Sequence, residues 1–398
     1  MASGKLKIAF VLDRYVPSRG GERYFSWLAG ELCKRGHDVH VFAMEIEDAP
    51  EAEFQVHSVS ALPCPRSLRI LSFLVNSARA VGSYDFDIVH GVGESFAMNV
   101  FNPHGGVEKA YLRQEFSSVR NRFYFLYKLL KRYLSAYHYL MLWIQKKQYL
   151  SDRVRKIIAI SEMIKRDIIR YYGVPEEKIA VVLNAVDLKT FHPEARAVFR
   201  TPKREELGID GDTIVLLFAG NNYRLKGLEP LLQALVILRE WFADRPFLLL
   251  IVGRGRIGRY ERMARRLGVS GLTRFLGPVK GMERFYAASD IYVHPTFYDS
   301  CSLTVLEALA SGLPVVTSRF NGAADAITSE RAGRILDDPG DVDDLARSIA
   351  YYFDEDRREQ ARVAARQGME RYSPAYNLEE TLRVYYEVAG GRPMGPGA

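Results

Sequence analysis

Short apolar runs alternate with helical stretches through almost the whole chain, and the alternation restarts past the middle. Residues 7–12 (KIAFVL) form a near-continuous apolar run, the pattern of a strand buried on both faces of a parallel sheet. A helix over 19–35 ends at Gly36. Strands follow at 39–43, 54–58, 88–91, 99–102, 156–160 and 179–183, and Ser161 caps a helix over 162–172. Past the middle, strands at 214–219, 247–252, 273–276, 290–294 and 315–317 interleave with helices at 228–242, 260–267 and 303–311. Two more helices cover 341–353 and 357–371. The pattern predicts an α/β fold of two doubly wound, Rossmann-like parallel sheets facing a central cleft. Residues 185–212, rich in Pro, Asp and Arg, read as the connection between domains, and 389–398 (AGGRPMGPGA) as a disordered tail.

A chain of 398 residues suffices for two ordinary domains. Three scattered cysteines, Cys33, Cys64 and Cys301, form neither a disulfide framework nor a zinc site, and a reducing cytoplasm fits them. The N-terminal apolar run is five residues long and is followed at once by Asp13, unlike a signal peptide. No run is long enough to span a bilayer.

The net charge of +7 is modest, but its distribution is uneven. Residues 119–150 carry Arg120, Arg122, Lys128, Lys131, Arg132, Lys146 and Lys147 and no acid, interleaved with Phe123, Tyr124, Phe125, Tyr127, Tyr133, Tyr137, Tyr139, Trp143 and Tyr149. Basic charge with interfacial aromatics suits a segment lying on an anionic membrane surface. A long amphipathic helix packed on its domain is the plainer alternative. Nucleic-acid binding ranks third, and no nucleic-acid partner is expected.

The densest chemical signal is 299–314, DSCSLTVLEALASGLP. It reads as a loop at a strand's carboxyl end, then a helix, then a break into the next strand. Ligands bind at that end of open α/β sheets, and a helix N-terminus there suits a phosphate. Asp299 and Glu307 bracket the segment, and Glu307, one turn in, would reach a neutral part of the same ligand. Gly20 and Gly21 follow the first strand, where the backbone could approach a ligand closely. After the first strand of the second half, Arg224 and Lys226 (RLKG) could neutralise a diphosphate. His104, in NPHGG, sits in a strand-end loop and could meet a substrate hydroxyl or a developing charge.

Two motifs point elsewhere. Residues 253–258 (GRGRIG) match G-x-G-x-x-G after a strand, the dinucleotide signature of a nicotinamide-dependent oxidoreductase. The motif does not open a domain, and no acid stands about 20 residues on for a ribose. Asp85 and Asp87 resemble a metal-holding D-x-D pair but begin a strand, at the wrong end of the sheet, and read as solvated charge. No metal site is expected.

Together, the Gly-Gly loop, the RLKG loop and the E-x7-E-like segment from Asp299 to Glu307 followed by GLPVV resemble the family 4 glycosyltransferases of the GT-B fold, over nearly the whole chain. The family motif usually opens with Glu; here Asp299 is one methylene shorter. The resemblance implies a nucleotide-sugar donor as substrate, no cofactor, no metal and retention of anomeric configuration. Arg224 and Lys226 would hold the diphosphate, Glu307 the ribose and Asp299 the sugar hydroxyls. Amides around Ser302, Leu303 and Thr304 would add to phosphate binding, with Gly253 near the ligand. Gly20, Gly21 and His104 would face the reacting centre. It also implies an acceptor domain over 1–184, a donor domain over 185–372, and a last helix, within 373–388, crossing back. The DSCSLTVLE version is similar to bacterial lipopolysaccharide-core glucosyltransferases. That implies glucose transfer from UDP-glucose to a heptose of a lipid-linked acceptor on the cytoplasmic face of the membrane, with Arg120, Arg122, Lys128, Lys131, Arg132 and Trp143 at the surface. Transfer of another sugar to a phospholipid or capsule precursor and a non-catalytic sugar-nucleotide binding module remain as alternatives.

Overall fold

A computed structural model describes residues 4–16, 20–47, 54–63, 65–119 and 121–390. Most of the tail read as disordered, Cys64 and Arg120 lie outside the described residues. Contacts divide the chain into two compact units. One comprises Met1–Leu112, Asn121–Leu183 and Asn377–Ala398, the other Arg113–Arg120 and Asn184–Tyr376.

The first unit runs β1 (Lys7–Tyr15), α1 (Gly20–Lys34), β2 (Asp38–Ile46), β3 (Gln55–Ser58), α2 (Arg66–Gly82), β4 (Ile88–Val92) and β5 (Val100–Asn102). Then come α3 (Glu108–Ser117), whose second half belongs to the other unit, α4 (Arg122–Tyr133), α5 (Ala136–Tyr149), β6 (Lys156–Ala159), α6 (Glu162–Tyr172) and β7 (Ile179–Val181). Its strands pair in parallel in the order β3-β2-β1-β4-β5-β6-β7. The chain therefore works outward from β1 and crosses back to β4, so β1 and β4 flank the point where strand order reverses.

The second unit runs α7 (Ala195–Glu206), β8 (Ile214–Ala219), α8 (Leu228–Trp241), β9 (Phe247–Val252), α9 (Ile257–Arg266), β10 (Thr273–Gly277), α10 (Met282–Ala288) and β11 (Ile291–His294). It continues with α11 (Leu303–Ala310), β12 (Val315–Ser318), β13 (Gly333–Leu336), α12 (Val342–Ala350) and α13 (Glu355–Arg366). The order β10-β9-β8-β11-β12-β13, again parallel, puts its reversal between β8 and β11. Every residue of β8 and β11 is buried, which is why both read as unbroken apolar runs. The last helix, α14 (Pro374–Val388), packs on the first sheet. There Tyr385 Oη lies 2.6 Å from His90 Nδ1, Arg155 Nη1 donates to the Val388 carbonyl at 2.8 Å, and Asn377 Nδ2 donates to the Leu183 carbonyl at 2.6 Å.

Two sequence readings need correction. The basic aromatic segment is not one long helix: α4 and α5 are separate, and Ser135 Oγ accepts from His138 N to cap the second. The halves differ in kind. No residue of α4 is buried, with Phe123 85% and Tyr133 72% exposed, whereas α5 buries Ile144, Gln148 and Tyr149. Tyr149 stacks on Tyr172 at 4.4 Å and is a core residue, not an interfacial one.

Residues 185–212 are not merely a connection, because they contain α7. Its Arg196, Arg200 and Arg204 recur every fourth residue, so they share one face. All three reach Asp290, at 3.1, 2.9 and 2.6 Å, and Arg362 of α13 lies 3.7 Å away. Asp290 Oδ2 also accepts from Val215 N at 2.9 Å. Burial alone would raise the Asp290 pKa, but Arg200 and Arg204 outweigh it and hold the carboxyl below its ordinary value. Replacing Asp290 by Asn leaves these guanidinium groups without their common counter-charge. The expected cost is about 3–5 kcal/mol, read as a lowered urea midpoint for the second unit, against about 0.5 kcal/mol or less for the exposed Asp212→Asn.

Candidate active site

In the second unit the reversal of strand order brings the loops after β8 and β11 side by side, although some 75 residues separate them in sequence. The Leu225 carbonyl accepts from Phe297 N at 2.7 Å and from Thr296 Oγ1 at 3.1 Å. Gly227, at φ +79°, sits where a Cβ would collide with the Pro295 carbonyl. Lys226 is thereby delivered to Asp299: Nζ lies 2.5 Å from Oδ2 and donates to the Tyr298 carbonyl at 3.3 Å. His294 Nε2, at the end of β11, lies 3.5 Å from the same carboxylate oxygen. Burial would raise the Asp299 pKa, but Lys226 and then His294 reverse that and hold it well below the usual carboxylate range. Burial lowers the His294 pKa, against the opposing pull of Asp299.

The Asp299 backbone is fixed too. Its N–H donates to the Phe320 carbonyl at 2.9 Å and its carbonyl accepts from Gly322 N at 2.8 Å. Asn321, fully buried, accepts from Ser302 N at 3.2 Å and Ala323 N at 3.1 Å through Oδ1 and donates to Thr317 Oγ1 at 3.0 Å. The Ser302 amide is thus engaged by Asn321. The Ser302 side chain makes no capping bond to α11, so the helix's first-turn amides, at Leu303 and Thr304, supply the donors a helix N-terminus offers an anion. Thr304 Oγ1 accepts from Tyr292 Oη at 2.7 Å and lies 3.0 Å from Ser302 Oγ. Glu307, half-buried in the second turn of α11, accepts from Tyr286 Oη at 2.8 Å. Arg224 Nη2 lies 3.4 Å from Glu115 of the same unit.

This edge therefore joins Lys226, Asp299, Ser302, Leu303, Thr304 and Glu307, with Arg224 two residues from Lys226. Sequence reasoning missed His294, Asn321 and Tyr286, which orient Asp299, Ser302 and Glu307. Gly253 stands next to the site for a packing reason: at φ +115°, its Cβ would collide with the Gly220 carbonyl. The next glycine, Gly255, makes room for the Tyr223 ring. The first two of the three glycines of the dinucleotide-like motif are thus needed for close approach of loops.

In the first unit, Gly20 and Gly21 open α1. His104 lies in the loop after β5, stacked on Tyr24 at 5.8 Å and edge-on to Phe25 at 5.4 Å. Tyr24 Oη donates to Asn377 of α14 at 2.8 Å. Burial lowers the His104 pKa to about 4 and that of His90 beneath it to about 3. Asp87 accepts from Lys7 N at 2.7 Å at the strand entrance, and among the described residues no group of acids, histidines or cysteines has the arrangement of a metal site.

Two family profiles match the chain in tandem, "Glycosyltransferase Family 4" over residues 18–190 and "Glycosyl transferases group 1" over 199–369. The chain belongs to glycosyltransferase family 4. It is 24% identical to the lipopolysaccharide glucosyltransferase WaaG of Escherichia coli K12 over 333 residues, 83% of this chain and 85% of WaaG. It is 34% identical to D-inositol 3-phosphate glycosyltransferase 2 of Catenulispora acidiphila over 221 residues, covering 52% of this chain and half of that one. The crystal structure of WaaG superposes with a TM-score of 0.77 at 21% identity, covering 96% of this chain and all of WaaG. HepE of Anabaena in complex with UDP gives 0.70 at 16%, covering 96% and 100%. The fold is GT-B, and the family is one of glycosyltransferases, not of nicotinamide-dependent oxidoreductases.

The histidine environment has a testable consequence. Between pH 6.5 and 4 the unfolded chain binds protons that folded His104 and His90 refuse, so stability falls as pH drops through that window. The His104 ring nitrogens should keep neutral-imidazole NMR shifts from pH 8 to pH 5. The urea midpoint should fall from pH 7 toward pH 4, and His104→Gln should flatten that slope.

Proposed function

We propose that the chain transfers glucose from UDP-glucose to a sugar of a lipid-linked saccharide of the lipopolysaccharide-core kind, probing the acceptor at an anionic membrane surface. The observation that carries the reading is the Lys226–Asp299 pair at the N-terminus of α11, with Glu307 one turn further in. Lys226, Arg224 and the α11 amides would receive the diphosphate, Glu307 the ribose and Asp299 the sugar hydroxyls. UDP bound to HepE and the glucosyltransferase relative covering most of the chain support the donor.

In the proposed reaction the bond from the sugar's C1 to the diphosphate oxygen breaks, and C1 bonds to the acceptor oxygen. The acceptor proton leaves on the departing diphosphate. Negative charge grows on that leaving group, and the cations and helix dipole stabilise it. These side chains would carry the charge without a metal ion, and the product would retain its anomeric configuration. His104, neutral at working pH, would donate or accept a hydrogen bond near the reacting sugar.

The proposed membrane surface is α4. Phe123, Leu126, Leu130, Tyr133 and Leu134 are exposed beside the exposed Arg122 and Lys131, with Lys128 and Arg132 half-buried. Trp143 of α5 is also exposed. No helix among the described residues is long and apolar enough to cross a membrane, and α4 suits a peripheral location on the cytoplasmic face. The proposed substrates are a nucleotide sugar and a lipid-linked acceptor, with no cofactor and no nucleic-acid partner.

One experiment tests both parts. UDP release is followed from UDP-glucose with a truncated lipopolysaccharide acceptor, either in anionic vesicles or dissolved in detergent. Lys226→Ala should lower kcat by about 10²–10³ in both media. Lys131→Ala should leave the detergent rate intact and weaken vesicle binding about fivefold, as expected for about 1 kcal/mol per surface cation. Undiminished turnover by Lys226→Ala would end the donor assignment. Equal vesicle binding by Lys131→Ala would end the membrane assignment.

A further inference from the structure

At the carboxyl edge of the first sheet, the loops after β4 and β5 and the facing side of α5 enclose a cavity of about 180 Å³. Its polar lining consists of Glu94, His104, Glu108, Gln145 and Gln148, and neither Lys nor Arg lines it. Two glutamines of α5 fix its walls. Gln148 Nε2 donates to the carbonyls of Gly93 and Ser95, at 2.6 and 3.0 Å, clamping the loop on either side of Glu94. Gln145 Oε1 accepts from Glu108 N at 3.0 Å and Tyr172 Oη at 3.2 Å, and its Nε2 donates to the Gly106 carbonyl at 3.4 Å.

The two acids differ. Glu108 already has a cationic partner, Arg132 at 3.6 Å, and the His138 ring lies 3.8 Å away. Glu94 has no salt-bridge partner among the described residues: burial and then Asp13 near the end of β1 raise its pKa, against the weaker pull of its own backbone amide, Arg66 and Arg14. A half-buried carboxyl so placed at a strand-end cavity is a candidate functional position.

We propose that this cavity is the acceptor subsite and that Glu94 determines its specificity, selecting an uncharged, hydroxyl-rich ring and rejecting one that carries a phosphate there. The inference rests on the glycosyl-transfer reading. A carboxylate accepts hydrogen bonds from sugar hydroxyls, and so do the glutamine-clamped loop carbonyls. A phosphate dianion in the same space would face the Glu94 carboxylate with no lining cation to offset it, a like-charge juxtaposition that disfavours such a partner. Inositol 3-phosphate, the acceptor named for one class of relative, carries a phosphate, and on this proposal the cavity would reject it.

The test compares octyl heptoside, the same glycoside bearing a phosphate monoester on its ring, and D-inositol 3-phosphate, with UDP-glucose as donor and the full chain as enzyme. The wild type should favour the uncharged glycoside by 100-fold or more in kcat/KM. Glu94→Gln should narrow that ratio about tenfold and Glu94→Lys further, through KM more than kcat, while UDP affinity stays at the wild-type value. A merely structural role would lower use of all three acceptors alike. An unchanged ratio in Glu94→Lys, or a wild-type preference for a phosphorylated acceptor, overturns the proposal. If nothing is turned over, the transfer reading fails, and calorimetric binding of the two glycosides with UDP present still decides the inference. Tighter binding of the uncharged glycoside upholds it; equal affinity, or binding of neither, overturns it.

Discussion

The Lys226–Asp299 ion pair is the contact around which the second unit's edge is organised. It forms because a parallel sheet that reverses its strand order brings the loops after β8 and β11 together. The loops are then joined by hydrogen bonds to one carbonyl, that of Leu225. Without a ligand, Asp299 neutralises a cation that would otherwise be half-buried alone. On the proposed function, a diphosphate would offer Lys226 a second anion and release Asp299 toward the sugar hydroxyls. The pair thus holds the site in shape and keeps its charges ionised, because Lys226 and His294 keep Asp299 far from protonation at neutral pH.

The electrostatics of the two edges are opposite. The second unit offers Lys226, Arg224 and a helix N-terminus, groups whose chemistry suits a diphosphate. The first unit offers Glu94, Glu108 and a neutral His104, groups whose chemistry suits hydroxyls. The proposed reaction, with a donor that leaves as an anion and an acceptor that arrives as a neutral alcohol, would call for that division of charge.

The alternation of apolar runs made both parallel sheets legible, because buried strands and amphipathic helices write different periods into the sequence. The residues of the DSCSLTVLE loop and of RLKG were legible because their chemistry is local. What orients them was not: Asn321 holds Ser302 from 19 residues away and Tyr286 holds Glu307 from 21. His294 looked like part of a strand. Helix α7 was hidden in a charged, proline-containing segment because its periodic face is made of arginines, which register as polar until Asp290 is known to lie opposite them. The basic aromatic segment held two answers in succession, an exposed α4 and a packed α5, which composition averages into one. GRGRIG matched a cofactor motif because close loop packing and close ligand approach require the same residue.

The most direct test of this account is a crystal structure with UDP bound. The account predicts a diphosphate against Lys226, Arg224 and the first turn of α11, with the ribose hydroxyls on Glu307. UDP lying elsewhere, or lying there with Lys226 bound only to Asp299, would contradict it.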